Sequence, residues 1–211
     1  MFSWLKKTPK RPPYNEKVWI SKAYKYQGLY NDIQEIIKNG GKIFIFTHFE
    51  KTSEEVAFIL EQMKINHYLF EKEDNTAILS FQQVAIFHAI SIQSSEIIKH
   101  LQSFAAHSSL CFYIIEHFPL QQGDDNLLTT LTEINPAIKP TFYTALDDPT
   151  LKPFITDTLT QTLEKLGLKP EESISHPLVS KAIIKVQEKL EKQVKGEKIA
   201  YSVEDWLKSN L

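Results

Sequence analysis

Residues 42–70 read "KIFIFTHFEKTSEEVAFILEQMKINHYLF", and this stretch decides the architecture. Its first part, "KIFIFTHF", is a short apolar run rich in aromatic and β-branched residues, the pattern of a buried strand. Thr52 or Ser53 then offers a hydroxyl to start a helix. Along "SEEVAFILEQMKI", Val56, Ile59, Leu60 and Met63 fall on one helical face. "NHYLFE" returns to strand character. Strand, helix and strand within about 30 residues make a βαβ unit, whose two strands run parallel.

The same alternation extends in both directions. Upstream, "SKAYKYQGLYNDIQEIIKNGG" carries Tyr26, Leu29, Tyr30, Ile33, Ile36 and Ile37 at helical spacing, with Ser21 as its cap and Gly40 and Gly41 as its stop. Downstream, "QVAIFHAI" reads as a strand and "SSEIIKHLQSFAAH" as a helix capped by Ser94 or Ser95. "SLCFYII" is a fourth strand, "DDNLLTTLTEI" a helix with an acidic start, and "KPTFYTAL" a fifth strand. Strands alternating with helices of this length imply a parallel sheet covered on both faces. From residue 148 onward the pattern is helical only: "DPTLKPFITDTLTQTLEKLGL", "SHPLVSKAIIKVQEKLEKQVKGEK" and "SVEDWLKSNL". The expected organisation is therefore a basic tail over 1–13, an α/β domain over 14–147 and a helical extension over 148–211.

Composition narrows the functional classes. With 211 residues, 42% of them hydrophobic, the chain supports one substantial domain and an appendage. The formal net charge of −2 gives no field that would draw nucleic acid. The lysine-rich helix 181–198 has its positive stripe interrupted by Glu188, Glu191 and Glu197, so no nucleic-acid partner is expected. Cys111 is the single cysteine, which excludes a disulfide framework and paired CxxC zinc ligation, and its apolar neighbours make it a core residue. A reduced, intracellular setting fits this usage. No apolar run approaches the roughly 20 residues of a membrane-spanning helix, and the N-terminus does not read as a signal peptide. In the tail, Phe2, Trp4 and Leu5 beside Lys6 and Lys7 could touch an anionic membrane surface; the alternative is a solvated end. Of 24 basic residues 23 are lysine, and Arg11 lies in that tail. The globular part is thus expected to lack any guanidinium for phosphate or carboxylate.

Two chemistries suit an α/β chain of this kind. A phosphate-cradling loop needs glycines followed by Gly-Lys-Ser/Thr at a helix start, and "NGGKIF", the nearest approach among six glycines, runs into a strand. The dinucleotide glycine fingerprint is absent as well. Alternatively, His48 and His88 end strands, and Glu116, His117, Gln121, Gln122 and Asp124 follow one. Strand ends line a crevice in open α/β sheets, so these residues could form an acid–base or metal cluster, although their spacing matches no established ligand set. The competing reading is dispersed rim side chains, with Asp124 and Asp125 serving as helix N-terminal acids.

The order of segments resembles the SecA preprotein translocase motor family. "EKVWISKAYKYQGLYNDIQEIIKNGGKIFIFTHFEKTSEEVAFILEQMKINHYLF" is similar to the start of its second nucleotide-binding domain, through "FTHFEKTSEEV" and "KINHYLF". "KPTFYTALDDPTLKPF" and "LEKLGLKPEESISHPLVSKAIIKVQEKLEKQ" resemble the segments that follow, up to the start of the helical scaffold. The resemblance covers residues 16–195 and implies a RecA-like α/β fold followed by a helical extension. It also implies a role in protein export, with SecA, another export component or a second copy as partner. The departures are as informative. The P-loop domain has no counterpart, "FHAISIQSS" lacks the residues expected of the nucleotide-sensing motif, and "EHFPLQQGDDNLLTTLTE" stands where the family carries phosphate-contacting arginines. The expectation is a catalytically inactive, pseudo-ATPase lobe with no cofactor. It would act in the cytoplasm, with peripheral contact at the inner face of the membrane left open through the tail. A lobe that completes an ATP site in trans, and a small hydrolase or metal-dependent enzyme reusing the crevice, are the alternatives.

Overall fold

A computed structural model describes residues 11–71, 79–80, 82–104, 109–154, 169 and 171–211. The expected membrane contacts Phe2, Trp4, Leu5, Lys6 and Lys7, and most of the expected helix 148–168, lie outside the described residues.

Six strands form one sheet: β1 (Asn15–Trp19), β2 (Lys42–Thr47), β3 (Tyr68–Phe70), β4 (Val84–His88), β5 (Leu110–Ile114) and β6 (Thr141–Ala145). Their order is β1-β6-β5-β2-β4-β3. Every pairing is parallel. The helices are α1 (Lys22–Lys38), α2 (Glu50–Gln62), α3 (Ser95–Ser103), α4 (Gln121–Ile134), α5 (Pro177–Glu191) and α6 (Val203–Asn210). This is the expected α/β architecture, a parallel sheet with helices on both faces.

Strand alternation builds two cores. Phe44 and Phe46 of β2 point to the face covered by α3 and α4, where they meet Leu101, Leu127 and Leu131. Ile43 and Ile45 point to the other face, against Leu29 and Ile33 of α1 and Val56 and Leu60 of α2. A one-residue slip would exchange these sets, so the pattern fixes the register. α1 closes as its sequence predicts. The Ser21 hydroxyl accepts from Tyr24 N. At the far end, Gly40 takes φ +72° while Gly41 N donates to Ile36 O and Gly40 N to Ile37 O, each at 2.9 Å.

Three local expectations are corrected. β1 adds a sixth strand to the five expected; it pairs with β6 from Asn15↔Thr141 to Trp19↔Ala145, and Ile174 bridges its outer side at Val18. α2 begins at Glu50 rather than at Thr52 or Ser53, and α4 begins at Gln121 rather than at Asp124. In both helices the N-cap residue has no side-chain capping bond, and a carboxylate described below instead binds backbone N–H groups just ahead of the helix.

The C-terminal part folds back on the sheet. α5 packs Val179, Ile183, Val186 and Leu190 against Val18, Leu146 and Leu151. α6 sets Val203 and Trp206 on Phe49. Among the described residues, no helix is long and apolar enough to cross a membrane.

Candidate functional site

The sheet order places a switch point at β2. The chain leaves β2 toward β4 and β3 by way of α2, but leaves β5 toward β6 by way of α4. These two helices cover opposite faces. The loops after β2 and β5 therefore diverge, and the crevice between them is where open α/β sheets bind ligands. His48 and Phe49 line one side, with Glu116, His117 and Phe118 on the other.

Glu116 is spent on the start of α2. Its Oε1 accepts from the backbone N–H of His48 (3.0 Å) and of Phe49 (3.2 Å), and its Oε2 accepts from Thr52 Oγ1 (2.7 Å). Amides at a helix N-terminus form a natural anion site, and here the chain supplies the anion. Burial pushes the Glu116 carboxyl up, with the Thr52 hydrogen bond and His48 acting in the opposite sense.

His117 and Asp124 form the centre of a second, deeper network. The His117 ring stacks on Phe142 with centroids 4.1 Å apart and planes 9° apart. Its Nδ1 donates to Asp124 Oδ2 (2.7 Å), and its Nε2 meets Glu16 Oε1 and Oε2 (3.1 and 3.2 Å). With a carboxylate on each ring nitrogen, both nitrogens donate and the ring is an imidazolium. Burial opposes that charge, but Glu16 and Asp124 outweigh it and push His117 up to about 10. Thr144 donates to Glu16 as well (2.9 Å).

Asp124 is fully buried. It accepts from Phe118 N (2.8 Å), His48 Nε2 (3.1 Å), Gln187 Nε2 (2.8 Å) and Arg11 (3.2 Å) in addition to His117. Burial alone would raise its carboxyl; His117 and His48 instead hold it far below the usual carboxylate range. Arg11 also reaches Asp125 at 2.6 Å. The expectation that the sole arginine stays with the tail is thus corrected: it is docked on α4 between two aspartates. Asp124 does more than serve the helix dipole, because it joins Arg11 ahead of β1, both crevice loops and α5 to α4.

Four of the named candidates, His48, Glu116, His117 and Asp124, are therefore brought to the crevice, against the reading of dispersed rim side chains. His88 joins at the margin, with its Nε2 donating to His48 O (2.9 Å), and burial pushes its own value down. Gln121 and Gln122 stand in the first turn of α4 and hydrogen-bond to none of these groups. Gly123 beside them is required by packing, since a Cβ there would lie 2.4 Å from the Phe118 ring. Sequence reasoning missed Glu16, Thr144, Lys25, Asp148 and Gln187. Lys25 is buried and donates to Asp148 (2.8 and 3.1 Å) and to Ile115 O (3.2 Å), closing the crevice from the α1 side.

The space left is divided: an open recess of about 290 Å³ lies between His48, Phe118, Gln122, Asn126 and Thr130, and the interior holds less. A cavity of about 30 Å³ lies between Lys25, Thr52, Glu116, Thr144 and Asp148, room for about one water molecule. Trp206 seals the crevice from outside, with its ring edge-on to Phe118 (5.7 Å, 71°), which in turn stacks on Phe49 (5.7 Å, 12°). Beyond that seal, an open groove of about 850 Å³ runs past His48, His88, Phe70, Ile90 and Ile199. Among the described residues, no group of three or more His, Cys, Asp or Glu side chains is arranged to hold a metal ion. Chemically, the convergent carboxylates and imidazoles are engaged with one another and with backbone, and the interior network has no room for a substrate.

No protein-family model matches the chain. The protein translocase subunit SecA of Phocaeicola vulgatus is 24% identical over 187 residues, covering 86% of this chain and 17% of that protein. SecA of Pelagibacter ubique is 24% identical over 202 residues, covering 86% of this chain and 24% of that protein. A shorter stretch of SecA from Acidithiobacillus ferrooxidans is 46% identical over 50 residues, covering 24% of this chain and 6% of that protein. The chain thus spans less than a quarter of the length of these relatives. Among solved structures, the C-terminal part of the Fun30 ATPase domain aligns at 9% identity and a TM-score of 0.41, over 82% of this chain and 56% of that one.

Proposed function

We propose that this chain is a SecA-like lobe without catalytic activity, serving as a protein-binding or regulatory module in protein translocation on the cytoplasmic side. Similarity to one segment of SecA over most of the chain supports the pathway. The carrying observation for inactivity is the filled crevice. A phosphate approaching the α2 N-terminus would meet the Glu116 carboxylate, with the His48 and Phe49 amides already engaged. An arginine that stabilises transferring phosphate contributes about 10³–10⁵ in turnover. That role needs an uncommitted guanidinium, whereas Arg11 is neutralised by Asp124 and Asp125. The partner is SecA, another export component or a second copy.

Sedimentation velocity of the purified chain, alone and with purified SecA or reconstituted export components, tests the reading. A faster-moving complex that forms equally with and without Mg-ATP is expected. A complex that requires Mg-ATP would favour completion of an ATP site in trans, and the absence of any complex with each protein at tens of micromolar would contradict the proposal.

A further inference from the structure

The groove outside the Trp206 seal is open, apolar on its floor and acidic at its rim. Leu69, Phe70 and Ile90 supply apolar lining, Ile199 stands at its edge 93% exposed, and Lys198 is the one lysine among the described lining residues. Glu50, Glu54, Glu71 and Glu197 stand around it. A floor and rim of this kind call for an occupant with large apolar side chains followed by positive charge.

The sequence of this chain holds such a segment. Residues 1–10, "MFSWLKKTPK", place Phe2, Trp4 and Leu5 directly before Lys6 and Lys7, with Lys10 following. The point where the described chain begins is next to the groove. Arg11 pairs with Asp124 Oδ2 at 3.2 Å, while Asp124 Oδ1 holds His48 at 3.1 Å, and His48 is a wall of the groove. One carboxylate therefore separates the first described residue from the groove. Ten residues span at most roughly 35 Å when extended, ample for Phe2 to reach the far wall. We propose that the groove is the docking site of the chain's own residues 2–7, with Trp4 and its apolar neighbours on the floor and Lys6 and Lys7 on the glutamate rim. Docked there, the segment would cover His88 and the exposed Ile199. The inference rests on the groove and the tail alone, and does not require the functional reading above.

Zero-length carbodiimide crosslinking of the full chain in lipid-free buffer, mapped by peptide mass spectrometry, tests it. Intramolecular links from Lys6 or Lys7 to Glu50, Glu54, Glu71 or Glu197 are expected, at a yield independent of protein concentration. Trp4→Ser should lower that yield by about tenfold, the loss typical of truncating an aromatic anchor, while the denaturant unfolding midpoint stays unchanged. Links only to acids elsewhere, or links found only in concentration-dependent dimers, would overturn the proposal. So would a tail that makes no groove link in buffer yet carries the chain onto phosphatidylglycerol vesicles.

Discussion

His117 is a cation held between two buried carboxylates, and stability should report it. Its value rises from the ordinary 6.5 to about 10. Its contribution is therefore complete below pH 6.5 and disappears as the pH rises through 10, with a slope of about 1.4 kcal/mol per pH unit between. Asp124 is depressed below its ordinary 3.8, so its share is lost only in stronger acid and is constant over this window. Denaturant unfolding should accordingly show a midpoint that declines as the pH rises from about 6.5 toward 10. His117→Gln should cost about 3–5 kcal/mol at pH 6 by stranding Glu16 and Asp124, and should flatten the alkaline decline. A wild-type profile flat from pH 6.5 to 10 would mean that the ring is neutral. At this scale the sequence was only half legible. His48, Glu116, His117 and Asp124 could be singled out because they sit at strand ends. Glu16 could not, because nothing local marks the edge strand on which it lies, and its partners His117 and Thr144 are 101 and 128 residues away.

Helix boundaries carry the same lesson at the scale of elements. α1 was read correctly at both ends because its cap and its glycine stop are local: Ser21, Gly40 and Gly41. α2 and α4 start earlier than their hydroxyls or acids suggest, and a carboxylate binds the backbone N–H groups just ahead of each helix. Glu116 reaches α2 across 67 residues from Phe49, and Asp124 turns back onto Phe118 N. The apolar periodicities of β2, β4, β5 and β6 were sufficient, since each is buried on both faces. α6 is the element whose role could not be read at all. "SVEDWLKSNL" announces a short capped helix, but not that Trp206 will be the stopper on Phe49 and Phe118. Trp206→Ala should cost about 3–5 kcal/mol, or undock α6 locally. Either outcome should raise binding of an apolar dye and speed hydrogen exchange in residues 198–211. Unchanged exchange there would mean that α6 is held by its exposed Lys51–Glu204 pair and backbone contacts instead.

For the whole molecule, the parallel sheet, its two helical layers and the C-terminal helices follow from pattern, while the closed crevice follows from how distant parts converge on it. Five contributors meet there: β1 with Glu16, the loop after β2, the loop after β5, α5 with Gln187 and α6 with Trp206. Together they fill with internal charge and one indole the place where such a sheet would take a ligand. The account therefore stands or falls on nucleotide. Isothermal titration of the intact chain with ATP and with ADP, each with Mg²⁺, measures this directly. No saturable heat up to millimolar nucleotide is predicted, and a 1:1 isotherm with a micromolar dissociation constant would contradict the claim that the crevice is self-occupied.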